Sequence, residues 1–150
     1  MGTNNEQPTT YPAGSVIYIN GQQSKQLFIL KSGKVRLMKL NKDKLHVFQV
    51  CKQGEILNEI SVLTKKPLDH VAVAQNDSVI VAVEVKDVNG VIEKCPMWVP
   101  EIFKTLCDRL QDSQEIIHEH NLSSGPLDDN FILTKQEEQK LVEAIKTFNT

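Results

Sequence analysis

The sequence lacks the features that mark several broad classes of protein. No apolar run approaches the ~20 residues a membrane-spanning helix requires, so the chain reads as one with no membrane partner. Its three cysteines, Cys51, Cys95 and Cys107, are odd in number, show no paired-ligand spacing and follow no signal peptide. That usage argues against a disulfide framework and fits buried thiols in a reducing, cytoplasmic setting. Glu6 stands where N-myristoylation of Gly2 would need Ser or Thr. Charge of one sign is missing too: the net charge is −2 at pH 7, with no global bias toward nucleic acid or an anionic surface. Arginine is limited to Arg36 and Arg109. Lys34, Arg36 and Lys39 read as the solvated face of a hairpin, too few for a nucleic-acid patch. No Walker, Rossmann or Ser-His-Asp pattern occurs. His118 and His120, two apart on a helix, point to different faces and make no metal site. Glu55 and Glu59 have neither a nucleophile nor a second acid beside them, so the chain reads as non-enzymatic.

What is present is a regular series of short strands. A chain of 150 residues is the size of one domain with a continuous core. Residues 1–10 read as a loose polar tail. From Tyr11 to Val85 the segments VIYI, QLFIL, KVRLMKL, LHVFQV, HVAVA and VIVAVEV are β-branched or aromatic and separated by Gly14, Gly21, Gly33, Gly54 and Asn76-Asp77. Such spacing predicts a mainly β fold, an antiparallel jelly-roll-like β-roll, followed by helices. Asp87 is placed as the cap of a short helix that Pro96 stops, and Pro100 opens a long helix to about Leu122. Residues 123–150 form an acidic extension with an amphipathic helix at about 134–148, opened by the capping-box pattern Thr134-Lys135-Gln136-Glu137.

Two apolar stripes are candidate contact surfaces. On the long helix Phe103, Leu106, Leu110, Ser113, Ile117 and His120 alternate in spacings of three and four, a seam whose first half is expected to cover the β core and whose second half suits a homodimer. On the last helix Leu141, Val142, Ile145 and Phe148 form one stripe. That helix is too short to stand alone and docks either on its own body or on another protein.

The phrase YPAGSVIYINGQQSKQLFILKSGKVRL carries Gly14, Ile17, Gly21, Phe28-Ile29-Leu30 and Gly33 in a pattern that resembles the cyclic nucleotide-binding domain, the β-roll sensor of catabolite activator-type regulators and of protein kinase A regulatory subunits. The resemblance covers about residues 11–122. Without gaps, Leu57-Asn58-Glu59-Ile60-Ser61-Val62 lies on the first half of that family's phosphate-binding cassette, and Pro67-Leu68-Asp69-His70 on its second. The resemblance implies that Glu59 accepts a ribose hydroxyl, that Asn58 replaces a glycine, which matters where the site needs positive φ, and that Leu68 replaces the arginine that pairs with the cyclic phosphate. Asp69 then stands where a small residue would face that phosphate. Losing a charge-assisted contact costs about 1.5–3 kcal/mol, or roughly ten- to several-hundred-fold in affinity. Lys65, Lys66 and His70 are the candidate compensating cations.

The expected function is therefore a non-enzymatic regulatory module that binds cyclic AMP or cyclic GMP poorly or not at all and acts through protein contact. The alternative is a true small-molecule sensor with an altered phosphate site. Only 28 residues follow Leu122, too few and too acidic for a helix-turn-helix DNA reader.

Overall fold

The computed structural model describes residues 7–120 and 131–148, with only the backbone of 114–120. Seven strands and four helices follow one another as β1 (Pro8–Tyr11), β2 (Val16–Tyr18), β3 (Gln26–Ser32), β4 (Val35–Asn41), β5 (Lys44–Cys51), α1 (Glu59–Thr64), β6 (Val71–Ala74), β7 (Ser78–Glu84), α2 (Val85–Glu93), α3 (Trp98–His120) and α4 (Lys135–Thr147). All strand pairs are antiparallel. One sheet runs β1-β7-β3 and the other β2-β6-β4-β5. The fold is mainly β with flanking helices, as the strand spacing predicts. Pro8, Thr9 and Thr10, expected in a loose tail, pair with β7, because threonine suits an edge strand and proline tolerates one.

Gly33 shows why a glycine must separate β3 from β4. Its φ is +92°, and a Cβ there would lie 2.7 Å from the Asp77 carbonyl oxygen and still closer to Ser78. The turn thus presses on the start of β7 with no room for a side chain.

Alternation along the strands divides the apolar residues between two cores. Ile17, Leu30, Val35, Leu37, Leu57, Leu68, Ala72 and Ile80 fill the space between the sheets. Ile19, Met38, Leu45, Val47, Val71 and Val73 face the other way, where Leu141, Val142 and Ile145 of α4 cover them. Strand β6 is consequently buried at all four positions. The tail-helix stripe is thus occupied by the chain's own roll, and Leu141, Val142 and Ile145 are not available to a partner. The physical reason is that the second face of the four-stranded sheet is itself apolar and needs a cover. Phe148, at the end of α4, keeps 39% of its surface exposed. Thr134 accepts a hydrogen bond from the Glu137 backbone N–H at 3.2 Å, the first half of the capping box. The Glu137 carboxylate reaches Arg36 at 3.5 Å, and Lys146 pairs with Asp43 at 2.8 Å, tying both ends of α4 to the roll.

Helix α2 begins at Val85, two residues before the expected cap, because Glu84 ends β7 and turns directly into the helix. The Val85 N–H bonds the Lys25 carbonyl, and Asp87 sits in the first turn, where its charge suits the helix dipole. On α3 the expected covering of the β core is not met. Phe103, Leu106 and Leu110 are 38%, 50% and 51% exposed, and Cys107 is the buried residue, facing α1. One residue along a helix is a rotation of about 100°, so the contact line runs through Cys107 and Gln111 and leaves the seam outside. Ile117 and His120 lie in the helix, but their side chains, and the expected helix end near Leu122, fall outside the described residues. Among the described residues no helix is long and apolar enough to cross a membrane.

Docking of α4 makes a direct stability prediction. Leu141→Ala and Ile145→Ala should each lower unfolding free energy by about 2–4 kcal/mol in urea denaturation, whereas Phe148→Ala should cost well under half as much. Equal, negligible effects at all three would show that α4 is not docked.

Candidate functional site

The segment between β5 and β6 builds a small cleft against the inter-sheet core. Its wall includes Leu37, Phe48, Glu59, Ser61, Asp69 and His70, and Gln111 of α3 closes one side. The cleft encloses about 40 Å³. That is space on the scale of a water or two, where ligand pockets commonly measure ~300–1,000 Å³.

Asn58 anchors the floor. It is 1% exposed, its Oδ1 accepts from the Phe28 N–H at 3.0 Å, and its amide donates to Ser24 Oγ at 2.9 Å and to the Gln26 carbonyl at 2.8 Å. Its φ is −135°, so the position the family fills with glycine requires no left-handed backbone here. Asn58 belongs to the frame that joins α1 to β3. Glu59, Ile60 and Ser61, the first turn of α1, do line the cleft.

Leu68, which aligns with the family's arginine, is 3% exposed and packs in the inter-sheet core, its N–H bonded to Gln22 and its carbonyl to Gly21. Asp69, next in the chain, lines the cleft. Successive residues of an extended chain point to opposite sides, so the two neighbours meet different surroundings. Lys65 ends α1 in the left-handed conformation, and both it and Lys66 are exposed and away from the cleft, so neither replaces the arginine. Among the described residues no lysine or arginine lines the cleft.

Asp69 has its own partners. Its Oδ1 lies 2.7 Å from His70 Nδ1 and its Oδ2 lies 3.2 Å from Lys39 Nζ. The bond to His70 is the main cause that holds its carboxyl down at about 2, with Lys39 contributing and burial opposing. His70 is enclosed by aromatic rings, Tyr18 edge-on at 5.2 Å and Phe48 at 5.6 Å between centroids. Its Nε2 meets the Tyr18 hydroxyl, which donates to the Leu57 carbonyl at 3.0 Å. Burial raises Tyr18 well above its ordinary range, so the hydroxyl keeps its proton. Glu59 has no such cation beside it: burial raises its carboxyl, against the weaker pull of its own backbone N–H and of His70. Burial also pushes the Cys51 thiol up to about 12, leaving it inert as a nucleophile. No group of three or more His, Cys, Asp or Glu is placed to hold a metal among the described residues.

Sequence reasoning missed Lys39, Tyr18, Phe48 and Gln111. Lys39 was legible only through register: Met38 pairs with Val71, which puts Lys39 beside the entry to β6. Nothing local marks the other three.

The two carboxylates titrate with opposite signs. Asp69 has a folded value below its ordinary 3.8, so its contribution is complete above 3.8 and is lost as pH falls toward 2. The difference in thermal midpoint between the wild type and Asp69→Asn should therefore be constant above that value and close below it. Glu59 has a raised folded value, so its ionisation opposes folding once pH climbs past 4.5. Glu59→Gln should melt higher than the wild type at neutral pH, with the gain fading below 4.5. A Glu59→Gln protein that melts lower at neutral pH would mean that the carboxylate has a stabilising partner.

Comparison with known proteins agrees with this architecture. The model of the cyclic nucleotide-binding domain matches residues 8–95. The cyclic AMP receptor protein of Thermus thermophilus is 27% identical over 104 residues, 69% of this chain and 48% of its own length. The crystal structure of the Thermus thermophilus catabolite activator protein superposes with a TM-score of 0.62 at 25% identity, covering 77% of this chain and 55% of that one. An EAL enzyme solved in its cAMP-bound form gives a TM-score of 0.66 at 17% identity over 77% of this chain and 31% of that chain, a likeness of fold alone. The chain spans about half the length of the curated relative it matches. With the family pattern matched over more than half of its residues and the β-roll built as that pattern requires, the chain belongs to the cyclic nucleotide-binding domain family.

Proposed function

We propose that this chain is a non-enzymatic regulatory module of the family whose cleft does not hold cyclic AMP or cyclic GMP tightly, and that it acts through protein contact. The observation that carries this reading is Asp69. Its carboxylate lines the cleft next to Leu68, the residue that aligns with the family's arginine, and Glu59 adds a second acid to a cleft of about 40 Å³. Two acids lining the cleft oppose a phosphate through repulsion as well as through the missing arginine. Leu68, apolar and 3% exposed, supplies no charge in its place.

The contact surface is the outer face of α3. Trp98, Ile102, Leu106 and Leu110 recur every four residues and are 60%, 47%, 50% and 51% exposed. Such a stripe suits a second helix of the same pattern, and a second copy of this chain is the partner it fits best.

Calorimetric titration of cyclic AMP and cyclic GMP into the wild type should show no binding in the micromolar range. A micromolar affinity would make the protein a sensor and overturn the reading of Asp69. Sedimentation should give a dimer that Leu106→Arg with Leu110→Arg converts to a folded monomer. A wild type that is monomeric at high concentration would remove the second copy as partner and leave the face to a different protein.

A further inference from the structure

The Asp69 network is more than a lost binding residue. One carboxylate bridges two donors from different parts of the sheet: Lys39 of β4 contacts Oδ2 at 3.2 Å, and His70 at the entry to β6 contacts Oδ1 at 2.7 Å. Each donor takes one oxygen, which is the way a forked oxyanion is gripped. Nδ1, facing a carboxylate, donates to it, and Nε2 is bonded to the Tyr18 hydroxyl, so the ring is fixed at both nitrogens. Tyr18 and Phe48 enclose the ring, and Lys39 Nζ lies 5.8 Å from the centre of the Phe48 ring, so both donors rest against the same aromatic wall.

We propose that Lys39 and His70 form an oxyanion site and that the Asp69 carboxylate is its built-in ligand, closing in cis a site that otherwise takes a phosphate or carboxylate group. Because Asp69 is tethered beside its own donors, it competes at a concentration no free anion matches. The consequence is mechanical as well as chemical. The bonded series from Lys39 through Asp69, His70 and Tyr18 to the Leu57 carbonyl links β4, the entry to β6, β2 and the residues leading into α1. The cleft is thereby held in one arrangement without any ligand.

The test is titration of inorganic phosphate, with acetate as the carboxylate probe, into the wild type, Asp69→Ser, Asp69→Asn and the double variant Asp69→Ser with Lys39→Met. Phosphate should bind Asp69→Ser at least about tenfold more tightly than the wild type. Asp69→Asn should change in the same direction, and Lys39→Met should abolish the gain. A folded Asp69→Ser with no gain, or a gain that survives Lys39→Met, overturns the proposal. Should the serine variant fail to fold, the isosteric asparagine variant decides. The wild type gives an independent reading through the ring-nitrogen NMR shifts of His70, which should report a proton on Nδ1 and stay unchanged on adding phosphate. A ring without a proton on Nδ1, or one that responds to phosphate, overturns it. The inference rests on the reading that the wild-type cleft takes no cyclic nucleotide. Binding of cyclic AMP by the wild type defeats that reading, whereas the phosphate arms test this one.

Discussion

Strand β6 is buried on both faces, and the rest of the molecule is arranged around that constraint. Ala72 faces the inter-sheet core, while Val71 and Val73 face α4. A strand so enclosed has no freedom to slide, because a shift of one residue would carry every side chain to the opposite face. Its register against β2 and β4 therefore also determines what happens just upstream, where Leu68 enters the core and Asp69 and His70 turn to the cleft. The chemistry of the cleft is a by-product of packing two residues away.

The electrostatics of the cleft then follow from which charges have partners. Asp69 is held by Lys39 and His70 and is stabilised as an anion. Glu59 bears a desolvation cost that the weaker pull of its own backbone N–H and of His70 does not offset. Families that bind an anionic ligand must do the reverse and leave a cation unpaired until the ligand arrives. Here Asp69 is paired within the chain, by Lys39 and His70.

The two long helices solve opposite problems. Helix α4 buries its stripe on the four-stranded sheet and is anchored by Arg36–Glu137 and Asp43–Lys146. Helix α3 touches α1 through one narrow line and leaves its larger apolar residues outside. Both helices carry the same kind of apolar periodicity. What distinguishes them is the surface available: the outer face of the four-stranded sheet is apolar and α4 covers it, whereas α3 meets α1 and, through Gln111, the edge of the cleft.

Much of the fold was legible in the sequence because strand alternation, turn glycines and helix caps are local signals, written within a few residues of where they act. The strands from VIYI to VIVAVEV, the turn at Gly33 and the Thr134 cap all follow from such signals. Which of Leu68 and Asp69 faces the cleft, which face of α3 is covered, and where the stripe of α4 docks are not local properties. Each depends on the register and rotation of an element against a distant neighbour, where one residue changes the answer completely. The union of Lys39, Asp69, His70 and Tyr18 is of that kind: β2, β4 and the entry to β6 bring them together, and only the folded sheet makes them one network.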